Sequence, residues 1–192
     1  MLCLKNDTNP EWIAAASQRL TDIMIDHAHC EKKAAANGMS MIQRYPEKDD
    51  LVRDMIDLIN EEMEHFAFVV KELHRRGASL TRDRGNRYAQ LLTQHIRKQE
   101  PHKLLDLLLV DALIEARSCE RFSILSKCGD IPADLREFYR SLLASEAGHY
   151  RTFTDIARRY FPAEEVRRRL DELAEIEAEI VRNLPNEPTI HG

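Results

Sequence analysis

Apolar residues recur at the helical spacing i, i+3, i+4 almost from one end of this chain to the other, and no stretch alternates with the period of two that a strand needs. That property restricts the chain to helix-on-helix packing. Asn9-Pro10-Glu11 marks a helix start, with Asn as N-cap and Pro at the first helical position. Beyond Ser17 the residues Leu20, Ile23, Met24, His27, Glu31, Ala34 and Ala35 keep the spacing, and Pro46 sets its limit. Asp49-Asp50 opens a second long helix through Leu51, Met55, Leu58, Ile59, Glu62, Phe66, Val69, Val70 and Leu73, which Gly77 closes. A connector rich in Gly, Arg, Ser and Thr leads to a shorter helical piece over 87–96. Pro101 starts a third long helix that Gly129 ends, and Pro132 starts a fourth that stops near Pro162. A fifth, highly charged helix over 163–183 is expected on the outside, and the tail 185–192 is expected to be loosely ordered. The prediction is an all-α bundle of four long helices with accessory N- and C-terminal helices, in a single domain over 1–192 with its core at about 17–161.

Composition narrows the function classes. At 192 residues the chain can bury one sizeable core, and six Gly with seven Pro are too few for a sandwich that turns every ten residues. No apolar run approaches the ~18 residues of a membrane span, and the start MLCLKNDTNPEW lacks a basic region followed by an apolar stretch. The expectation is a soluble, cytoplasmic protein with no membrane partner. Cys3, Cys30, Cys119 and Cys128 show no CxxC spacing and read as free thiols. A Walker loop, GxSxG, a strand-borne GxGxxG and HExxH are all missing, which removes the nucleotide-hydrolysing, serine-hydrolase, dinucleotide-binding and zincin classes.

The net charge of −5 conceals a division along the chain. Residues 75–103 hold eight Lys/Arg against Asp83 and Glu100, and residues 151–169 hold six Arg against three acids; the remainder carries 14 basic and 28 acidic side chains. An acidic body with two basic segments suits a polyanion partner, because phosphate contacts need local positive potential and not a basic average. A solvated helix surface accounts for the same charges.

Two Glu-x-x-His motifs stand out, Glu62-Met63-Glu64-His65 and Glu146-Ala147-Gly148-His149. The spacing sets a carboxylate and an imidazole one turn apart on the same helix face. Alone, such a pair is common on charged helices. The arithmetic between the halves of the chain changes its weight. Glu31 precedes Glu62 by 31 residues and Glu115 precedes Glu146 by 31, while Glu31 to Glu115, Glu62 to Glu146 and His65 to His149 are each separated by 84. The chain therefore holds two helical hairpins, each with a Glu on its first helix and Glu-x-x-His on its second. Glu61, Glu64 and Glu120 have Ser145, Gly148 and Ala36 as counterparts and drop out.

The selected carboxylates sit on apolar stripes: Ala28, Ala34 and Ala35 beside Glu31, Leu58, Ile59 and Phe66 beside Glu62, Leu142, Leu143 and Tyr150 beside Glu146, and Ala112, Ser118 and Cys119 beside Glu115. Buried carboxylates are costly without compensating charge, and no matching Lys or Arg lies on those faces. Four carboxylates and two imidazoles in a bundle core are the donor set of a dinuclear carboxylate site for iron or manganese. His27 and His29 point about 200° apart on a helix, so they suit supporting or packing roles better than joint ligation. Asp111, one turn before Glu115, could orient a ligand or simply face solvent. Phe66, Tyr150 and Phe153 read as packing or as a pocket wall, and Trp12 as the anchor of the first helix.

The stretches DHAHCEKKAA (26–35), EEMEHF (61–66), IEARSCERF (114–122) and SEAGHY (145–150) resemble the bacterial tRNA hydroxylases that act on 2-methylthio-N6-isopentenyladenosine beside the anticodon, and the resemblance runs from about Pro10 to Phe161. It implies a ferritin-like bundle with a non-haem di-iron centre of two iron ions that uses O2 to hydroxylate the isopentenyl side chain. The ligands it implies are Glu31, Glu62, His65, Glu115, Glu146 and His149, the set that the 84-residue repeat selects. An external reductase is expected to supply electrons. The tRNA anticodon arm is expected against the basic stretch 75–103, with Arg75, Arg76, Arg82, Arg84 and Arg87 on phosphates. The alternatives are a ferritin-like ferroxidase, a small-molecule di-iron oxygenase, and a helical tRNA-binding module without chemistry.

Overall fold

The helix boundaries of the chain follow its caps and breakers closely. A computed structural model describes residues 2–191, and among them are seven helices and no strand: α1 (Pro10–Gln18), α2 (Leu20–Arg44), α3 (Asp49–Arg75), α4 (Arg87–Thr93), α5 (His102–Lys127), α6 (Ala133–Tyr160) and α7 (Ala163–Asn183). Asn9 caps α1 by accepting the Glu11 N–H at 3.0 Å. The apolar spacing that runs on past Ser17 does not make one continuous helix. Arg19, at φ −131° and ψ 48°, leaves helical geometry, and α2 begins afresh at Leu20.

Two compact units result. One contains α2 and α3 with Pro188–Ile190; the other contains α1, α4, α5, α6 and α7 with His191. In the first, α2 and α3 form a hairpin through the short turn around Pro46, where the Lys48 N–H donates to the Tyr45 carbonyl at 3.1 Å. Gly38 lets the two helices approach: a Cβ there would stand 2.9 Å from Ile59 Cγ1. Buried Ile23, Met24, Ala28 and Met41 on α2 and Leu51, Met55, Leu58 and Leu73 on α3 supply the apolar stripes, each Ile, Leu or Met contributing about 1.5–3 kcal/mol when fully buried. Asp49 and Asp50 favour the N-terminal end of α3. Its other end closes at Gly77, φ 73°, with Gly77 N–H to His74 O and Ala78 N–H to Leu73 O, the paired bonds of a left-handed glycine cap.

In the second unit α5 is central, with 19 of its 26 residues buried, so charged side chains on it must find partners inside. Arg117, wholly buried, donates to Glu177 of α7 through Nε at 2.8 Å and Nη2 at 2.9 Å, and to Glu120 through Nη1 at 2.7 Å. Glu120 also accepts from the Thr8 amide at 2.8 Å and hydroxyl at 2.5 Å, and the Tyr88 hydroxyl donates to Glu177 at 3.1 Å. Asp106 takes Arg97 and Arg169. The Arg121 guanidinium lies 4.1 Å from the ring centre of buried Trp12, which ties α1 to α5. The charged helix expected on the outside thus keeps an exposed face but also buries Val166, Leu173, Ala174, Glu177 and Ala178.

Residues 185–191 form no helix, yet Ile190 and His191 are buried. The Ile190 amide donates to Asp26 at 2.7 Å within the α2–α3 unit. Within the α5–α6 unit, the His191 ring stacks on Tyr88 at 5.1 Å, and its Nε2 lies 3.0 Å from the Ser118 hydroxyl. No helix among the described residues is long and apolar enough to cross a membrane.

Candidate metal centre

In the α2–α3 hairpin, α2 presents Glu31 and α3 presents Glu62 and His65 one turn apart. Glu31 and Glu62 are 4% and 1% exposed. His65 Nδ1 stands 3.5 Å from Glu31 Oε2 and 3.9 Å from Glu62 Oε2, and one donor atom from each of the three residues lies within 4.8 Å of the others. One turn before Glu31, fully buried His27 brings Nε2 to within 2.5 Å of Glu31 Oε1. Burial by itself would push the Glu31 carboxyl up. Hydrogen bonding with Glu62, then the His27 and His65 imidazoles, outweighs it and holds the group well below the usual carboxylate range.

Two buried carboxylates in hydrogen-bond contact need a proton or a cation between them, because both cannot be ionised unaided. With an imidazole beside them the set is carboxylate–carboxylate–histidine, which suits a first-row divalent metal. The residues therefore fit a metal ion. His27 is placed as such sites place a supporting group, fixing the orientation of the Glu31 carboxylate.

The α5–α6 hairpin offers the same residue types. Glu115 on α5 and Glu146 with His149 on α6 are all buried, and His149 Nδ1 is 3.9 Å from Glu115 Oε2. Ser145 Oγ lies 3.5 Å from His149 Nε2. Cys119, one turn beyond Glu115, has its thiol pushed up by burial and by the Glu115 charge, so it stays a neutral neighbour. Asp111, one turn before Glu115, is partly buried.

The carboxylates set aside on sequence grounds lie elsewhere. Glu61 and Glu64 are exposed, and Glu120 is engaged by Arg117 and Thr8. The arginines assigned to phosphate contact divide. Arg75 is held by Glu72 at 2.8 Å and Arg76 lies 3.9 Å from the same carboxylate. Arg82, Arg84 and Arg87 are exposed, with no ion pair among the described residues.

Two features escape a sequence reading. The Arg117–Glu177 pair joins residues 60 apart with no motif to announce it. Asp83 is held by Lys32 and Lys33 of α2, and its one sequence signal is that it is the lone acid of residues 75–99.

Known proteins of similar sequence and structure extend the picture. A relative from Pseudomonas putida strain KT2440, named tRNA 2-(methylsulfanyl)-N(6)-isopentenyladenosine(37) hydroxylase, is 37% identical over 96% of this chain and 89% of its own length. A relative of the same name from Salmonella typhimurium strain LT2 is 30% identical over 96% of this chain and 86% of its own. Among solved structures, "Protein 43 with aldehyde deformylating oxygenase activity from Synechococcus" superposes with a TM-score of 0.95 at 35% identity, covering 100% of this chain and 96% of that one. The fold class is all-α and ferritin-like, as the sequence predicts. The family described as tRNA-(MS[2]IO[6]A)-hydroxylase (MiaE) matches residues 1–192, so the repeat of Glu and His belongs to a whole-chain likeness and not to an isolated motif. With both of those relatives carrying the corresponding name, this chain belongs to the MiaE family of tRNA hydroxylases.

Proposed function

We propose that this protein is an O2-dependent non-haem di-iron monooxygenase that hydroxylates the isopentenyl side chain of 2-methylthio-N6-isopentenyladenosine beside the anticodon of tRNA. The observation that carries the reading is the cluster of buried Glu31 and Glu62 with half-buried His65 in a chain of the MiaE family. On this reading the ligands would be Glu31, Glu62, His65, Glu115, Glu146 and His149, in a single ferritin-like domain with its core over about 17–161. When bound, two iron ions supply the activation of O2 and the removal of hydrogen from an unactivated carbon, chemistry that no side chain supplies.

The chain's own residues do the rest. The six residues would hold the ions, and five of them, Glu31, Glu62, Glu115, Glu146 and His149, are buried away from water. His27 orients Glu31 through the 2.5 Å contact. The substrate base lies in a single-stranded loop, where it can be presented without opening a duplex. Arg75, Arg76, Arg82, Arg84 and Arg87 hold the phosphates of the anticodon arm. Both basic segments have arginines paired with acids, Arg75 and Arg76 with Glu72 in the first and Arg158, Arg167, Arg168 and Arg169 with Asp155, Glu164, Glu172 and Asp106 in the second; what favours 75–103 is Arg82, Arg84 and Arg87, exposed and with no ion pair among the described residues. Two electrons per turnover come from an external reductase, because the sequence has no flavin, haem or rubredoxin-like motif. The protein works in the cytoplasm with its tRNA.

Nucleoside mass spectrometry tests this reading. Reduced, iron-loaded protein supplied with O2 and modified tRNA adds one oxygen to the isopentenyl group, and the Glu115→Ala variant adds none. Iron bound and O2 consumed with no oxygen gained would sink it. The neighbour named for aldehyde deformylating activity favours one second reading, a small-molecule di-iron oxygenase. That reading expects no tRNA affinity, whereas phosphate recognition gives affinity that falls steeply with salt.

A further inference from the structure

The connector after α3 is fastened to α2 through the one acid in its basic run. Asp83 Oδ1 accepts from Lys33 Nζ at 3.0 Å and from the Gly85 amide at 2.8 Å, while Oδ2 lies 3.5 Å from Lys32 Nζ and 3.9 Å from His29 Nδ1. His29, 5% exposed, donates through Nε2 to the Thr81 carbonyl at 2.9 Å and accepts from Lys32 at Nδ1, at 3.0 Å. Desolvation works against the Asp83 charge, but the Gly85 amide and Lys33 prevail and pull its carboxyl down to about 2. Thus the Thr81 carbonyl and the Asp83 carboxylate are tied to α2, the Gly85 amide is tied to Asp83, and the side chains of Arg82 and Arg84 between them are exposed with no ion pair among the described residues.

A flexible basic loop must lose conformational freedom before it can grip phosphates, and a loop already held in place loses less. We propose that the Asp83–His29 clamp holds Arg82 and Arg84 as a preformed pair of contacts for the RNA backbone, making Asp83 a positioning residue for substrate binding. The proposal rests on the tRNA hydroxylase reading. It runs against simple charge counting, in which an acid within a basic patch repels RNA and its removal tightens binding.

Asp83→Asn decides between the two. Binding is measured by fluorescence anisotropy with a modified anticodon stem-loop across a salt series. The clamp predicts about tenfold weaker binding despite the added positive charge, a shallower salt dependence, and a raised KM for hydroxylation. In an Arg82→Gln/Arg84→Gln background the same substitution has no further effect, because the groups it positions are gone. Without RNA, trypsin cuts after Arg82 and Arg84 faster in Asp83→Asn than in the parent. Equal or tighter RNA binding, an undiminished loss in the double-glutamine background, or unchanged tryptic cutting each overturns the clamp alone. A parent protein that binds no RNA at all overturns the hydroxylase reading, and the clamp's role with it.

Discussion

The two hairpins carry the same candidate ligand residues at the same spacing, yet they support them by different means. Around Glu31 the support is local: His27, one turn earlier on α2, touches the carboxylate directly. The repeat-equivalent position on α5 is Asp111, a group of the opposite charge tendency. There the helix is buried on nearly all sides and is braced by Arg117 with Glu120 and Glu177. Exposure differs too, at 17% for the His65 side chain and 4% for that of His149. The ligand register is set by helix geometry and hairpin length, which both halves share. What neutralises buried charge is set by the neighbours each helix acquires, and α5 has α4, α6 and α7.

Removing a ligand from either hairpin tests whether the two halves act as one. Glu62→Ala and Glu115→Ala should each abolish hydroxylation and reduce bound iron, read by metal analysis and nucleoside mass spectrometry; retention of both ions in either variant would separate the halves. Next in size is the brace of α5. Glu177→Gln leaves buried Arg117 short of its main partner and should destabilise the fold by about 3 kcal/mol in urea unfolding. A loss under 1 kcal/mol would mean that Glu120 alone balances Arg117.

His27→Gln probes the local support of the other hairpin and should weaken iron binding by about 10- to 100-fold with little effect on folding. Asp111→Asn should do less, since α5 is fixed by its buried brace; an equal or greater effect would make the two supports alike. Gly77→Ala forces a Cβ into a left-handed position and should cost about 1 kcal/mol. Smallest is the acid response of the 81–85 loop. The folded carboxyl of Asp83 sits at about 2, below its ordinary value of 3.8, so its contribution is present above pH ~4 and is lost as pH falls through about 2. The difference in urea midpoint between the parent and Asp83→Asn should close over that window; a difference that persists at the acid end would place the effect on another group.

Much of this was legible in the sequence for a physical reason: helices are local. Caps such as Asn9, stops such as Gly77 and the prolines at 101, 132 and 162 act on the backbone beside them, so the helix order and most ends could be read directly. Arg19 was not legible, because nothing in its residue type forbids the helix from continuing across it. The candidate ligands were picked out by their 31- and 84-residue separations, since the same residue types repeated in two hairpins leave a numerical trace.

By itself, then, the sequence determined that the chain is helical, where most of its helices begin and end, and which Glu and His residues stand at equivalent positions of the two hairpins. Tertiary structure alone decided which charges meet. It paired Arg117 with Glu177, turned Asp83 inward onto Lys32 and Lys33 while leaving Arg82 and Arg84 exposed, and buried Ile190 and His191 of the tail. These partners lie far apart along the chain, and their energies depend on distance and burial in three dimensions, which no local pattern of residues encodes.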